Sequence, residues 1–398
     1  MPIPQIKIED FDYNLPEDRI RVIPLEDRAA AKLLVYENGE ISDTVFSNLP
    51  NVLQQGDLLV FNNSKVIPAR IIFQKESGAF IEIMCLAPFG TSYTEAFSAH
   101  DRVSFTAYIG NSKRWKEGKL ELKINWNNSP ESVFIERKGI EKDAFIVEFT
   151  WNFNAVFSEV IEAIGQVPLP PYFQRKPVAN DVGRYQTIFA KTEGSVAAPT
   201  AGLHYTEAVL SDLKDNGVSQ IQVCLHVGAG TFKPVSSEHI EDHEMHAEFL
   251  EVTKACIHAV LNCKGRIIAA GTTSMRTLES LYWLGVRVLE GKEAHVVDQW
   301  EPYLSSSTYS KEEALTALLD YLDSTNRDSI CASSSICIAP GYSFKICSGL
   351  QTNYHQPKST LMLLIAATVG EEWKRIYKHS LEQEYMFLSY GDTMLLWF

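Results

Sequence analysis

Between Arg70 and Trp151 apolar and polar residues alternate in short runs: RIIFQK, AFIEIMCLA, RVSFTAYIG, KLELKINW, SVFIERK and AFIVEFTWN. A period of two turns one face of each run toward a core and the other toward water. Gly, Asn and Ser-Pro between the runs supply the turns, and no helical period is present. The pattern predicts an all-β module of about six strands, closed as a small barrel.

The flanking sequence has a different rhythm. KLLVY and GDLLVFNN, before the module, read as buried strands. After the linker QVPLPPYFQRKP the apolar positions take up helical spacing. Thr206 stands as the cap of EAVLSDLKDN, and Gly217 lies where that helix should stop. SQIQVCLHV, RIIAAG and SSICIAP predict strands. VTKACIHAVLNC, SMRTLESLYWL and KEEALTALLDYLDS predict helices, and two more close the chain at roughly 358–369 and 371–386. Strand and helix alternate, so this part reads as an α/β body with a mixed or largely parallel sheet and flanking helices. The division expected is 1–68 and 152–398 for that body, with 69–151 as an inserted β-barrel domain.

Charge and cysteine usage narrow the function classes. The chain has 398 residues, 36 basic and 50 acidic, for a net charge of −14. That balance argues against a general nucleic-acid coat, although a local basic patch remains open. KRWKEGK (Lys113–Lys119) and QRK (Gln174–Lys176) are the two places for one, and both read first as solvated loops. Seven cysteines form no CxxC pair, as expected of thiols in a reducing compartment. The first twenty residues lack the basic start and apolar run of a signal peptide, and TLMLLIAATVG is half the length of a membrane span. The location expected is cytoplasmic.

Candidate chemistry gathers in loops. GSVAAPTAGLHYT (Gly194–Thr206) is built of small residues with glycines near both ends, suited to close approach of a ligand or to a tight turn with none. HVGAGTFKPV, GTTSMRTLES and PGYSF each follow a strand-like run, where open α/β sheets bind ligands. Gly271, Thr272 and Thr273 lead into a helix carrying Ser274 and Arg276, a combination that suits a carboxylate or phosphate but is also an ordinary cap. No GxGxxG fingerprint, Walker loop or GxSxG elbow occurs, so NAD, FAD and ATP hydrolysis find little support. His204, His226, His243, His246 and His355 fall in loop-like segments, which suits acid–base or ligand-contacting roles. The HEMH spacing is not that of a zinc motif, and no metal is expected.

Taken in order, GSVAAPTAGLHYT, HVGAGTFKPV, IEDHEMHAE, GTTSMRTLES and TNYHQPKSTLMLL resemble the S-adenosylmethionine:tRNA ribosyltransferase-isomerases of queuosine biosynthesis. FDYNLPEDRI, GDLLVFNNSKVIPARI, VPLPPYF, RYQTIFAK and SYGDTMLL are similar to that family too, and the β module is the least alike. The resemblance implies an α/β domain with an inserted β-barrel. It implies S-adenosylmethionine as co-substrate with no metal, and a tRNA anticodon loop bearing 7-aminomethyl-7-deazaguanine as partner. The reaction implied transfers and isomerises the ribosyl group, giving epoxyqueuosine-tRNA with release of adenine and methionine. It needs a base for the C5′ proton beside the sulfonium, a donor for departing adenine and an acceptor for the amine proton. His204, His226, His246, Glu248 and His355 are the side chains expected to share those steps. Ser195, Ala198, Pro199, Thr200, Gly202, Gly228 and Gly230 are expected to line the nucleoside, with Thr272, Thr273 and Arg276 on the methionine carboxylate.

Several motif positions depart from the family pattern. DRAAAKLL stands for RDASRLL, placing Ala29 and Ala31 where an acid and a hydroxyl are usual. Asn63 and Lys65 stand for Asp and Arg, and Ala229, Lys233, Ala247 and Ser348 are further changes. Arg to Lys loses bidentate geometry. The clustering of changes within motifs points to a divergent relative. Two alternatives follow: a same-fold transferase with another acceptor, or a tRNA-binding paralogue without catalysis. A tRNA substrate would be read through one unstacked base, turned out of its loop. The oligomeric state is not legible, and the reading leans to a monomer.

Overall fold

The computed structural model describes residues 3–75, 78–175, 177–178, 181–228, 235 and 237–398. Among these, ten strands form one mixed sheet. Their order is Val296–Val297, Ser329–Ser334, Glu248–Thr253, Ser219–Leu225, Leu58–Asn62, Ile267–Ala270, Gly349–Asn353, Thr393–Trp397, Lys32–Glu37 and Glu40–Val45. The four from Ser219–Leu225 to Gly349–Asn353 run parallel, and the neighbours on either side are antiparallel to them.

Burial on both faces accounts for the unbroken apolar runs of the middle strands. Leu58, Val60 and Ala269 point into one core with Leu278 and Leu281 of the helix Thr272–Leu289. Leu59, Phe61 and Ile268, one residue out of phase, point into another with Phe189, Tyr205 and Val209. Thr206 caps Glu207–Asp215 by accepting from the Val209 amide at 3.3 Å, and Gly217 follows at φ +77°.

The second sheet is antiparallel throughout and nearly closed, in the order Arg70–Gln74, Phe80–Pro88, Arg102–Gly110, Ala144–Thr150, Ser129–Glu141 and Lys119–Trp126. Its interior of Ile81, Phe105, Val133 and Val147 also receives Phe157 and Val160 of the helix Phe157–Ile164. The fold is α/β, with a mixed sheet, flanking helices and a barrel-like all-β sheet.

Several elements differ from expectation. A helix, Tyr93–Phe97, lies between two barrel strands, closed by a Ser92–Glu95 capping box. Five residues are too few to show a helical period. SSICIAP is not a strand: the strand ends at Ser334, and Ile336 to Ala339 are buried without a sheet partner. Their backbone bonds instead to the segment beside it, Cys337 N to Gln299 O at 3.1 Å and Ala339 N to Tyr303 Oη at 2.9 Å. VTKACIHAVLNC opens in a strand, and its helix starts at Lys254 on a Thr253 cap. The last helix stops at Glu382. Glu40–Val45, Glu248–Thr253, Val296–Val297, Gly349–Asn353 and Thr393–Trp397 are among the strands beyond those expected.

Of the two basic runs, Lys113 and Arg114 lie in a turn above buried Trp115. Arg175 of QRK is held by both oxygens of Asp181, at 2.6 and 2.8 Å, and Lys176 lies outside the described residues. Among the described residues no helix is long and apolar enough to cross a membrane.

Candidate functional site

A cleft opens beyond the carboxyl ends of the parallel strands, where open α/β sheets bind ligands. Each wall continues one strand. Ile267–Ala270 runs into Gly271, Thr272, Thr273 and Arg276, and Gly349–Asn353 runs into Tyr354, His355 and Gln356. Val227 and Glu248 form the wall on the other side, and Ala197 to Ala201 form a flat one. Tyr172, Tyr185, Leu388 and Ser389 complete it.

Hydrogen bonds hold the small-residue wall. The Ser195 hydroxyl accepts from Val227 N at 2.8 Å and from Ser64 Oγ at 3.1 Å. Gln351 Nε2 donates to the Ala201 carbonyl at 3.3 Å. Gly202 is a glycine for lack of room: a Cβ there would lie 2.8 Å from both Phe189 and Thr187. Ser195 and Gly202 therefore support the wall, while Ala198, Pro199 and Thr200 face the cleft.

Arg276 is the most consequential group. It is 7% exposed, ion-paired to buried Glu248, and donates through Nε to the Ile336 carbonyl at 3.3 Å. Among the described residues, its Nη2 and the Thr273 hydroxyl are buried without hydrogen-bond partners. Both residues line the cleft in the first turns of the 18-residue helix Thr272–Leu289, whose opening amides favour negative charge. Orphaned donors at such a spot suit a carboxylate. Gly228 N donates to Glu248 Oε1 at 3.3 Å, and Gly230 lies outside the described residues, as do Ala229 and Lys233.

The histidines divide. His355 lines the cleft, half-buried, with Nε2 3.1 Å from Thr352 Oγ1, and burial draws its pKa down to about 3. His204 lies behind the small-residue wall with Nε2 3.0 Å from Asn353 Oδ1. Asn353 Nδ2 donates to the Leu388 and Ser389 carbonyls at 2.9 and 3.1 Å, so its Oδ1 is the acceptor and His204 carries the proton on Nε2. His226 stacks on Tyr93, at 4.0 Å and 12°, and Phe249 lies beside both rings, 5.9 Å from His226 and 5.5 Å from Tyr93. Its Nδ1 faces Gly194, where a Cβ would come within 2.8 Å. His246 is exposed, and His243 half-buried. Of the five expected acid–base groups, the fold therefore brings only Glu248 and His355 to the cleft.

His204 and His226 also bear on stability. Burial lowers each pKa from 6.5 to about 4, so the folded protein refuses protons that the unfolded chain accepts below pH 6.5. Stability is therefore fully present above pH 6.5 and is lost as pH falls toward 4. By linkage the loss is about 2 kcal/mol for each of the two at pH 5. Urea melts at pH 7 and pH 5 should show it, and His204→Asn should flatten the difference; an unchanged pH dependence in that variant would count against the assignment.

Two contributors were not expected. Asn353 lies in a quoted motif, but nothing marked it as the clamp between His204 and the 388–389 wall. Tyr93 comes from the barrel's short helix, far in sequence from the residue it covers. The described departures, Ala29, Ala31, Asn63, Lys65, Ala247 and Ser348, do not line the cleft. Ala29 and Ala31 pack with Phe46 and Leu33, Lys65 pairs with Glu193 at 2.9 Å, Ser348 Oγ accepts from Ile267 N at 3.3 Å, and Ala247 is exposed.

The family model described as queuosine biosynthesis protein matches residues 8–396. A Desulfitobacterium hafniense protein named S-adenosylmethionine:tRNA ribosyltransferase-isomerase is 38% identical over 98% of this chain and 100% of its own length. A Halothermothrix orenii protein of the same name is 36% identical, with 98% and 100% covered. The crystal structure of S-adenosylmethionine tRNA ribosyltransferase from Thermotoga maritima is 24% identical, covers 97% of this chain and 99% of its own, and superposes with a TM-score of 0.47. With matching motifs in order and nearly every residue covered, the chain belongs to the queuosine biosynthesis protein family, the S-adenosylmethionine:tRNA ribosyltransferase-isomerases.

Proposed function

We propose that this enzyme transfers and isomerises the ribosyl group of S-adenosylmethionine onto 7-aminomethyl-7-deazaguanine at a tRNA wobble position in the cytoplasm. Epoxyqueuosine-tRNA, adenine and methionine are the products. The carrying observation is the pair of orphaned donors, Arg276 Nη2 and Thr273 Oγ1, at a helix start inside the cleft. An amino-acid carboxylate is the ligand group that satisfies both at once.

In this reading Glu248 orients Arg276 and offsets the charge of the sulfonium, while Thr272 helps hold the carboxylate. The flat wall of Ala198, Pro199 and Thr200 receives the nucleoside. His355, uncharged at neutral pH, exchanges hydrogen bonds with the reacting groups and Thr352 rather than serving as a resident cation. His204 acts through Asn353 on the cleft wall, and His226 through Val227. Residues 69–151 form the inserted domain on an α/β catalytic domain of 1–68 and 152–398.

Adenine release tests the reaction directly. Purified protein with S-adenosylmethionine should release adenine, followed by HPLC, only when tRNA carrying the 7-aminomethyl-7-deazaguanine base is added. Release with unmodified tRNA, or none with either, would count against it. Ala198→Leu tests the nucleoside wall. Its branched side chain should raise the KM for S-adenosylmethionine about 100-fold, the equivalent of roughly 3 kcal/mol, with little change in Tm. Normal kinetics in that variant would remove the nucleoside from this wall.

A further inference from the structure

A second, smaller cavity lies on the other side of the 388–390 segment from the cleft, and Ser389 lines both. Arg28, Arg184, His204 and Tyr390 line it too. The two guanidiniums are neighbours, and burial together with the Arg184 charge lowers the pKa of Arg28. Neither makes an ion pair with a carboxylate among the described residues. Arg28 donates only to backbone carbonyls, of Gln186 at 2.8 Å, Gly183 at 3.0 Å and Arg184 at 3.5 Å. Arg184 donates to the carbonyls of Leu25 and Glu26.

Three further features make this arrangement more than a staple between two segments. Of the nearby carboxylates, Asp181 binds Arg175, Asp27 accepts from Ala29 N at 3.0 Å, Asp392 accepts from Lys32 N at 2.9 Å and Met386 N at 2.7 Å, and Glu26 is exposed. The Tyr390 residue is 5% exposed, and among the described residues its buried hydroxyl has no partner. In the same two segments Ile23 and Val182 are 70% and 63% exposed. Neighbouring guanidiniums repel each other, and an anion between them relieves that repulsion.

We infer that Arg28 and Arg184, with the Tyr390 hydroxyl, form a docking site for a backbone phosphate of the RNA substrate, next to the nucleotide whose base enters the cleft. The inference rests on the reading under Proposed function. Guanidinium forks match phosphate oxygens, the tyrosine hydroxyl supplies a third donor, and the exposed apolar side chains suit the base faces of an unstacked strand. Sharing Ser389 with the cleft places the site beside it.

The test is the salt dependence of tRNA binding, measured by fluorescence anisotropy for the intact chain, Arg28→Gln, Arg184→Gln and Tyr390→Phe. Gln removes the charge and keeps one amide donor but is two atoms shorter, so thermal melts of each variant are taken alongside. Each Gln variant should bind more weakly, and the slope of log K against log salt should shrink by about 0.7–0.9 for each guanidinium–phosphate pair removed. The KM for S-adenosylmethionine should stay unchanged. Tyr390→Phe should weaken binding without altering the slope. An unchanged slope with a lowered Tm in the Gln variants would reduce the site to a structural staple and overturn the inference. Calorimetric titration with inorganic phosphate provides a second arm: loss of phosphate binding in the variants with tRNA binding intact would make this a small-anion site instead. If tRNA binds normally but no adenine is released, the reaction fails and this site stands. If the unaltered chain binds no tRNA, both fall.

Discussion

Arg276→Ala should lower kcat/KM for S-adenosylmethionine by roughly 100- to 4000-fold, mostly through KM. The guanidinium has two tasks, since it pairs with Glu248 and leaves Nη2 for a ligand. Removing it deletes a charge-assisted contact to substrate and strands a buried carboxylate, together worth about 3–5 kcal/mol. At 1.4 kcal/mol per tenfold, that range corresponds to the loss stated. The two tasks separate experimentally. Arg276→Ala with Glu248→Gln should recover much of the Tm lost by the single variant, because no unpaired charge remains, yet its KM should stay high. Arg276→Lys should fall between, keeping the charge without the fork. Initial rates of adenine release over a range of S-adenosylmethionine, with thermal melts alongside, measure both. A folded Arg276→Ala protein with ordinary KM would take the carboxylate away from this site.

The second large effect is on stability. Glu279, within the helix Thr272–Leu289, is fully buried and accepts four hydrogen bonds. They come from Tyr342 Oη at 2.8 Å and the amides of Lys345, Ile346 and Cys347 at 2.9, 3.0 and 2.9 Å. One carboxylate thus folds the 342–347 turn onto the helix, just before the strand Gly349–Asn353 that leads to His355. Burial and Glu279 together push the Tyr342 hydroxyl and the Cys347 thiol well up from their usual pKa values. Glu279→Ala leaves several buried donors without acceptors, each costing about 1–3 kcal/mol, for a loss on the order of 5 kcal/mol. With an unfolding entropy of about 2 cal/mol/K per residue, the Tm of a chain this long should drop by roughly 6 °C. Glu279→Gln, with one acceptor oxygen kept, should lose about half as much. Calorimetry decides it, and a drop under about 1 °C for Glu279→Ala would mean that the turn does not depend on this carboxylate.

Legibility from sequence followed the range of the interaction. The six barrel strands were readable because period-two alternation is a local signal that survives packing. The helix Glu207–Asp215 was readable because its Thr206 cap and Gly217 stop are chemistry within a few residues. SSICIAP misled for the opposite reason: Ile336, Cys337 and Ile338 are apolar because helices cover them, and burial alone does not distinguish a paired strand from an irregular buried segment. Glu40–Val45, mostly exposed at an edge, offered no apolar pattern at all.

The candidate site divides along the same line. Arg276, Thr272 and Thr273 were legible together because they sit within one helical turn and a half, so local geometry suffices to group them. Histidine count and loop placement suggested five acid–base groups with Glu248, yet His204, His226 and His246 do not reach the cleft. A loop position does not say which way a ring points. That depends on Asn353, 149 residues from His204, and on Tyr93 and Gly194, 133 and 32 residues from His226.

By itself, then, the chain's order of residues determined its family, its alternation of strands and helices, its barrel-like module and the anion-suited start of one helix. Each of these is written in spacing, capping chemistry or contiguous motifs, which act over one element at most. Only the tertiary structure decided that Arg276 keeps a nitrogen without a partner among the described residues, that Tyr93 crosses from the barrel to cover His226, and that Arg28 meets Arg184. Those facts depend on which distant side chains satisfy a donor or a charge, and folding alone brings the partners together.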